Sequence, residues 1–394
     1  MRNVVFVGTY PPRRCGLATF MADLRNALMS SASDLNCGVV AISDEASYDY
    51  PAEVGYVIRQ NNIDDYIDAA RRVNDANPDV VCIQHEFGIF GGPAGKYLIA
   101  FLDLIKCPVV STLHTVLEHP DEEQKSVFEQ ILKRSCKLVV MAERGLSVLQ
   151  HTWSVPARKA EIVPHGVPDR VLENNDRRKT ILGFAGRELL LTFGLLSPDK
   201  SIESVIRAMP TIIAARPHAL YVISGTTHPN LVAQEGERYR DSLQTLSNNL
   251  GITESVRFIN KYLDTPYLLD IIASADICIM PYKNEGQITS GTLSYAAGLG
   301  KAIISTPFWH ARELLEGDRG VLIPFGDHHA LAQSVIRLLS DSRWRRSLEV
   351  RIFEASRCMV WSKLGLRYRD ILLPHGQRAK TPAAAGPSLD ATNE

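Results

Sequence analysis

Long apolar runs are missing from this chain. No stretch approaches the about 18 consecutive apolar residues that a membrane-crossing helix needs, so no span is expected. Peripheral contact with a membrane is left open. Cysteines are few and poorly matched for bridging. There are seven, an odd number (Cys15, Cys37, Cys82, Cys107, Cys136, Cys278 and Cys358), and no Cys-x-x-Cys pair. Without such pairs, zinc ribbons and dithiol redox centres are excluded. Most of these residues sit in apolar runs such as "DVVCIQ" and "ADICIM", as free buried thiols do in a reducing compartment. No cleavable leader is visible either. "MRNVVFVGTY" is a short strand-like run closed by a turn, so a cytoplasmic location is expected. An excess of charge of either sign is also lacking: 43 basic against 44 acidic residues leave a net charge of −1. A nucleic-acid partner held by phosphate neutralisation would need a strongly basic face, so none is expected.

What the chain does have is rhythm. "NVVFVGTY" is a continuous apolar run of the kind buried on both faces of a parallel sheet. "CGVVAIS", "VGYVIRQ", "DVVCIQH", "CPVVSTLH" and "KLVVMAE" repeat the pattern. Helical stretches such as "ATFMADLRNALMSSA" and "EEQKSVFEQILKRS" separate them. Around Arg170–Arg187 the pattern loosens into a charged, turn-rich linker. It then restarts with "ELLLTFGLL", "ALYVISG", "SVRFIN", "ADICIMPY" and "KAIISTP". The fold class is therefore α/β: two doubly wound, Rossmann-like domains facing across a cleft, with binding loops at the carboxyl ends of the strands. The boundaries expected are 1–178 for the first domain and 179–350 for the second. Residues 351–373 are expected to form a helix packing back on the first domain through Trp361, Leu364, Leu366 and Tyr368. A disordered tail is expected at 374–394.

The loops after the strands carry the chemistry. "GTYPPRRCGLATF" ends at a helix start, with Arg13, Arg14 and Gly16 beside it. Free N–H groups and two cations there suit a phosphate or sugar hydroxyls; a tight turn with solvated arginines is the other reading. His85 and His114 each stand just past a strand, the first beside Glu86. Imidazoles at such positions can meet a sugar hydroxyl or move a proton, or can serve the fold alone. No further ligands fall at metal-binding spacing, so no metal is expected. "IVPHGVPD" says only that the chain turns. In "TFGLLSPDKSIE", Gly194 ends a strand and Lys200 opens a helix. A positive charge at that end opposes the helix dipole, which favours an anionic ligand over a solvated lysine.

Six segments in order ("VGTYPPRRCGLATF", "VPHGVPD", "FGLLSPDKSIE", "MPYKNEGQ", "GLGKAIIST" and "RGVLIPFGD") resemble the retaining nucleotide-sugar glycosyltransferases of the GT-B fold, family 4, over about residues 1–370. The resemblance implies a donor nucleotide held by the second domain and a carbohydrate acceptor held by the first, where His85 and Glu86 lie. It implies Lys200 on the donor diphosphate, His114 on the donor sugar, and the loop at Gly16 closing over both. No cofactor or metal is required; the nucleotide-diphosphate sugar is a co-substrate. The hallmark of the family, as the resemblance implies it, is a Glu-x7-Glu pair, the first glutamate on the sugar and the second on the ribose.

Here the chain departs from the family. Counting forward from "MPYKNE" puts Glu285 at the first position and Leu293 at the second. Counting back from "GLGK" puts Gln287 and Tyr295 there. Neither count supplies a second glutamate. The backward count is preferred, since it runs without a gap and sets Thr289, Ser290 and Gly291 at a helix mouth where phosphate oxygens need N–H groups. The function expected is transfer of a glucosyl or mannosyl group, with retention, to a carbohydrate or related hydroxyl. The alternatives are a phosphorylase-like enzyme on the same fold and a catalytically weak glycan- or nucleotide-binding module.

Overall fold

Short β-branched runs form strands here because each is buried on both faces, and helices between them supply the cover. The structure, a computed structural model, describes residues 2–44, 48–173 and 176–374. The expected tail lies outside the described residues from 375 onward.

Seven parallel strands make the first sheet: β1 (Arg2–Gly8), β2 (Leu35–Ser43), β3 (Val54–Arg59), β4 (Val80–His85), β5 (Val109–Leu113), β6 (Lys137–Val140) and β7 (Ala160–Ile162). Their order is β3-β2-β1-β4-β5-β6-β7. The second sheet holds β8 (Glu188–Phe193), β9 (Ala219–Ser224), β10 (Val256–Ile259), β11 (Ile277–Met280), β12 (Ala302–Ser305) and β13 (Val321–Leu322), ordered β10-β9-β8-β11-β12-β13 and also parallel. Strand order reverses between β1 and β4 and again between β8 and β11. Crevices open at such points beyond the strand ends. The two-residue β13 has no counterpart among the runs read as strands from the sequence.

Each sheet is covered on both faces. In the first domain, Phe20, Met21, Leu24 and Leu28 of the helix Gly16–Ser31 pack on one face. Tyr66, Phe101 and Phe128 cover the other from the helices Ile63–Ala76, Tyr97–Leu104 and Glu122–Arg134. Each such fully buried side chain contributes about 1.5–3 kcal/mol by leaving water. The helices Ile202–Ala215 and His328–Ser340 cover one face of the second sheet. Thr265–Ser274 and Gly291–Gly298 cover the other.

The carboxyl-terminal crossing differs from expectation in two details. The helix Ser342–Ser356 runs across the expected boundary at 351, because Leu348 and Ile352 are held in the second domain's core. Only the helix Trp361–Leu372 lies on the first domain, against Gly16–Ser31. The helices touch closely at Gly365, where a Cβ would stand 2.3 Å from the Ala27 carbonyl oxygen. Leu364 and Tyr368 are fully buried, but Leu366 is 42% exposed. Two positions along a helix turn a side chain by about 200°, so Leu366 faces the opposite side from Leu364. None of the seven cysteines forms a disulfide, but Cys136 and Cys358 are exposed rather than buried, each standing outside the strand runs.

Candidate active site

The loops following β4, β5 and β11 meet between the domains around a chamber of about 510 Å³. The first domain lines it with Glu86, His114 and Thr115, the second with Gln287, Thr289 and Trp309.

On the first-domain side, the helix Gly16–Ser31 opens at Cys15, whose sulfur accepts the Ala18 N–H at 3.3 Å. Nothing lies within 4 Å of where a Gly16 Cβ would stand, so the approach to this helix start is open. Arg14 is exposed and has no ion-pair partner among the described residues. Arg13 departs from the expected donor contact. Its guanidinium turns into the domain, bonding the Ile42 carbonyl and Gln60 at 3.1 Å each and pairing with Asp44 at 3.1 Å. These partners satisfy its charge within the fold.

His114 stands at the end of β5, edge-on to Phe20 at 4.8 Å. Its Nε2 lies 3.0 Å from the Gln84 amide oxygen, so Nε2 carries the proton and Nδ1 is left as an acceptor. Burial, aided by His165 and His85, pulls its pKa down to about 3, so the ring is neutral at physiological pH. Beside it, the Glu86 carboxylate accepts the Thr115 hydroxyl at 2.5 Å and the Phe87 N–H at 2.9 Å; burial holds its pKa above the usual range. His85, expected beside Glu86 in acceptor binding, does not reach the chamber. It is wholly buried among Phe87, Phe90 and Phe128, and neither ring nitrogen has a partner. The strand pleat explains this: Glu86 and His85 are successive residues, so their side chains point to opposite sides.

On the second-domain side, the helix Gly291–Gly298 is capped by Ser290, whose hydroxyl accepts the Leu293 N–H at 3.2 Å. Lys200 ends the short turn Pro198–Lys200. Its ammonium lies 3.7 Å from the Tyr282 ring centroid, and it has no carboxylate partner among the described residues. The Tyr282 hydroxyl is 2.5 Å from that of Thr292, which ties the lysine platform to the helix start. Gly194 approaches the same residue: at φ +104°, its Cβ would stand 3.0 Å from the Thr292 methyl. At Gly291 a Cβ would come within 2.9 Å of His165 Nε2, so only glycine fits.

The two candidate readers of the donor sugar take different places. Gln287 lines the chamber and donates to the Thr289 carbonyl at 2.8 Å, while Thr289 Oγ1 is buried without a partner. Glu285 turns to solvent and pairs with Arg312 at 2.6 Å. Tyr295 departs from the expected ribose contact. Its hydroxyl donates to Asp23 of the first domain at 3.0 Å, an interdomain bond from a buried tyrosine to a partly buried aspartate.

Several groups at this site were not singled out from the sequence. His165, read only as part of a turn, donates from Nδ1 to the Gly166 carbonyl at 2.8 Å and leaves Nε2 as an acceptor. His310 accepts the Ser290 N–H at 2.9 Å and so fixes the helix mouth. Burial pulls these two to about 4 and about 3, respectively, so both are neutral. Glu313 crosses the cleft to accept the N–H groups of Glu143 and Arg144 at 2.8 and 2.7 Å, capping the helix Glu143–His151, whose own Ala142 cannot. The "VPHGVPD" turn was a legible pointer to His165; nothing local marked His310 or Glu313.

The site thus offers two cations without carboxylate partners, an open helix start, a capped helix mouth and neutral imidazoles. That set can hold an anionic group and read hydroxyls beside it. Among the described residues, no group of three or more His, Cys, Asp or Glu is placed to hold a metal ion. No described helix is long and apolar enough to cross a membrane.

Comparison with known proteins agrees with this two-domain fold. HepE from Anabaena, solved in complex with UDP and glucose, superposes with a TM-score of 0.75 at 14% identity, covering 94% of this chain and 99% of that one. Sucrose-phosphate synthase from Thermosynechococcus elongatus gives 0.75 at 15% identity, covering 94% and 98%. In sequence, a D-inositol 3-phosphate glycosyltransferase of Corynebacterium glutamicum is 23% identical over 290 residues, or 66% of this chain and 65% of that protein. A phosphatidyl-myo-inositol mannosyltransferase of Mycolicibacterium smegmatis is 24% identical over 65% and 62%. The chain thus matches just under two thirds of the length of these curated relatives. Residues 187–341 match the family model of the glycosyl transferases group 1. This chain has the two-domain GT-B architecture, and its second domain is similar to the glycosyl transferases group 1.

Proposed function

We propose that the chain is a retaining glycosyltransferase that moves a hexosyl group from a nucleotide-diphosphate sugar to a hydroxyl acceptor. One observation carries this reading. The chamber places His114 of one domain and Gln287 of the other on opposite walls, while Lys200, without a carboxylate partner among the described residues, stands at the Ser290-capped helix mouth. A sugar in the chamber would lie between the two hydroxyl readers, with its diphosphate toward the lysine and the helix N–H groups. A mannosyltransferase among the relatives supports a mannosyl group, and HepE's complex with UDP and glucose supports a glucosyl group and a nucleotide donor.

The step is a same-face substitution. The bond from the anomeric carbon to the diphosphate oxygen breaks, and charge grows on the departing phosphate. Lys200, Arg14 and the helix dipole stabilise that charge. The acceptor hydroxyl forms the new bond and gives its proton to the departing phosphate, so no carboxylate nucleophile is needed. His114 Nδ1 accepts from a sugar hydroxyl, and the Gln287 amide can donate to or accept from another.

A phosphorylase-like enzyme is the second reading. Its motivation is Tyr295, which stands where the family's ribose-reading acid belongs and is instead bonded to Asp23. A screen of UDP-, GDP- and ADP-hexoses for nucleoside diphosphate release separates the two. Release with at least one donor is expected of the transferase. Release with none, together with phosphorolysis of a glycan by inorganic phosphate, contradicts it.

A further inference from the structure

The inference concerns the acceptor, and it rests on the transferase reading. The cleft has two chemically different sides. Lys200 and Arg14 serve the donor side, both without ion-pair partners among the described residues. The first-domain wall of the chamber carries Glu86 and Glu118, and among its described lining residues there is no lysine or arginine.

The guanidinium that touches this wall, Arg144, is already engaged. It donates to both Glu118 oxygens at 2.9 and 2.8 Å, and its flat face lies 4.5 Å from the Trp309 ring centroid. Its helix start is capped by Glu313 rather than left open to an anion. Glu86 is fixed by Thr115 and the Phe87 N–H, and burial already disfavours its negative charge. A phosphate on this wall would lose its hydration beside the Glu86 and Glu118 carboxyl groups, and apart from the His119 imidazole the described lining residues offer no unpaired basic group to offset its charge. A hydroxyl would gain a charge-assisted bond, since a carboxylate accepts and a hydroxyl donates. The indole of Trp309, which also lines the chamber, supplies an apolar surface for the C–H face of a ring.

We propose that the acceptor is an uncharged polyol (a neutral sugar, glycoside or cyclitol) hydrogen-bonded to Glu86 and Glu118, and that acceptors bearing a phosphate beside the reacting hydroxyl are rejected. Glu118 is the specificity-determining residue, because it keeps Arg144 from serving an anion. This separates the chain from relatives whose names carry D-inositol 3-phosphate.

The test is competition between matched pairs: myo-inositol against D-inositol 3-phosphate, and neutral glucosides and mannosides against their 6-phosphates. Products are read by mass spectrometry with the donor the enzyme turns over. Neutral products should exceed phosphorylated ones by about tenfold or more, the worth of a charge-assisted bond. Equal yields, or a phosphorylated product in excess, overturn the proposal. Glu118→Ala frees Arg144 and should raise the phosphorylated share about tenfold; Glu118→Gln, which keeps the side chain's shape, should shift it the same way by less. An unchanged share in both variants overturns the role of Glu118. Saturation-transfer NMR of the same pairs, with UDP or GDP present, reads the wall without turnover. Absence of nucleotide release with any donor then counts against the transferase reading alone. Transfer to the neutral members supports the acceptor proposal, while transfer to the phosphorylated members, or to none, overturns it.

Discussion

Replacing His85 by phenylalanine should flatten the acid limb of this protein's stability. The ring is fully buried, with its centroid 4.9 Å from Phe87, 5.9 Å from Phe128 and 6.1 Å from Phe90, and neither nitrogen has a partner. Burial holds its pKa at about 3, against 6.5 for an ordinary histidine. The unfolded chain therefore takes a proton in a range where the native chain refuses it. Stability from the neutral ring is complete above pH 6.5 and is lost as pH falls from there toward 3. At about 1.4 kcal/mol per pH unit, pH 5 costs the wild type about 2 kcal/mol through this residue alone. Phenylalanine does not titrate. It also removes a buried unsatisfied N–H worth about 1–3 kcal/mol, offset by a similar penalty for its greater bulk. The pH-dependent part is thus the clean readout. Urea denaturation of both proteins at pH 7.5 and pH 5 should show the variant losing about 2 kcal/mol less than wild type on acidification. Since His85 lies off the chamber, donor turnover should stay within about threefold, well under the 1.4 kcal/mol that a tenfold change represents. Equal acid sensitivity in the two proteins would refute the burial argument, and a dead variant would return His85 to the acceptor site.

Lys200→Ala removes a cation that no carboxylate among the described residues neutralises. It should lower turnover roughly 30- to 1000-fold, or about 2–4 kcal/mol, with an unchanged melting temperature; rates within threefold would sink its assignment to the diphosphate. Gln287→Ala should cut turnover more than Glu285→Gln, because Gln287 lines the chamber while Glu285 pairs with Arg312 at the surface. Steady-state kinetics of the two single variants with one donor checks this, and the reverse ranking contradicts it. Gly365→Ala forces the last helix off Gly16–Ser31, since the new methyl would meet the Ala27 carbonyl. A loss of about 1–3 kcal/mol in denaturant melts is expected, and wild-type stability would show that the helices can part freely.

Strands and their order in the chain were legible because burial on both faces writes itself locally, as in "NVVFVG" and "DVVCIQ". Helix mouths were legible for a similar reason: Ser290 is a capping type, followed at once by Gly291. Side-chain partnerships across the fold were not. Arg13 looks like a free cation until Asp44 and Gln60 are brought to it by β2 and the turn after β3. Tyr295 meets Asp23, 272 positions away, only when the domains face each other. His310 and Glu313 act through N–H groups of other elements, and no local pattern encodes that. The His85–Glu86 pair shows the limit within one segment. Both stand at a strand end, but the pleat sends one into the chamber and the other into the core, and the residues alone do not say which.

The measurement that tests the central claim most directly is an NMR time course of wild-type enzyme with an α-linked nucleotide-diphosphate hexose and a neutral acceptor. Phosphorus spectra follow the nucleotide, and the one-bond C–H coupling at the anomeric carbon reports the new linkage. One nucleoside diphosphate should be released for each α-linked product, and both signals should grow at least about 30-fold more slowly in Lys200→Ala. A β-linked product, or glycosyl transfer that releases no nucleotide, would contradict that claim.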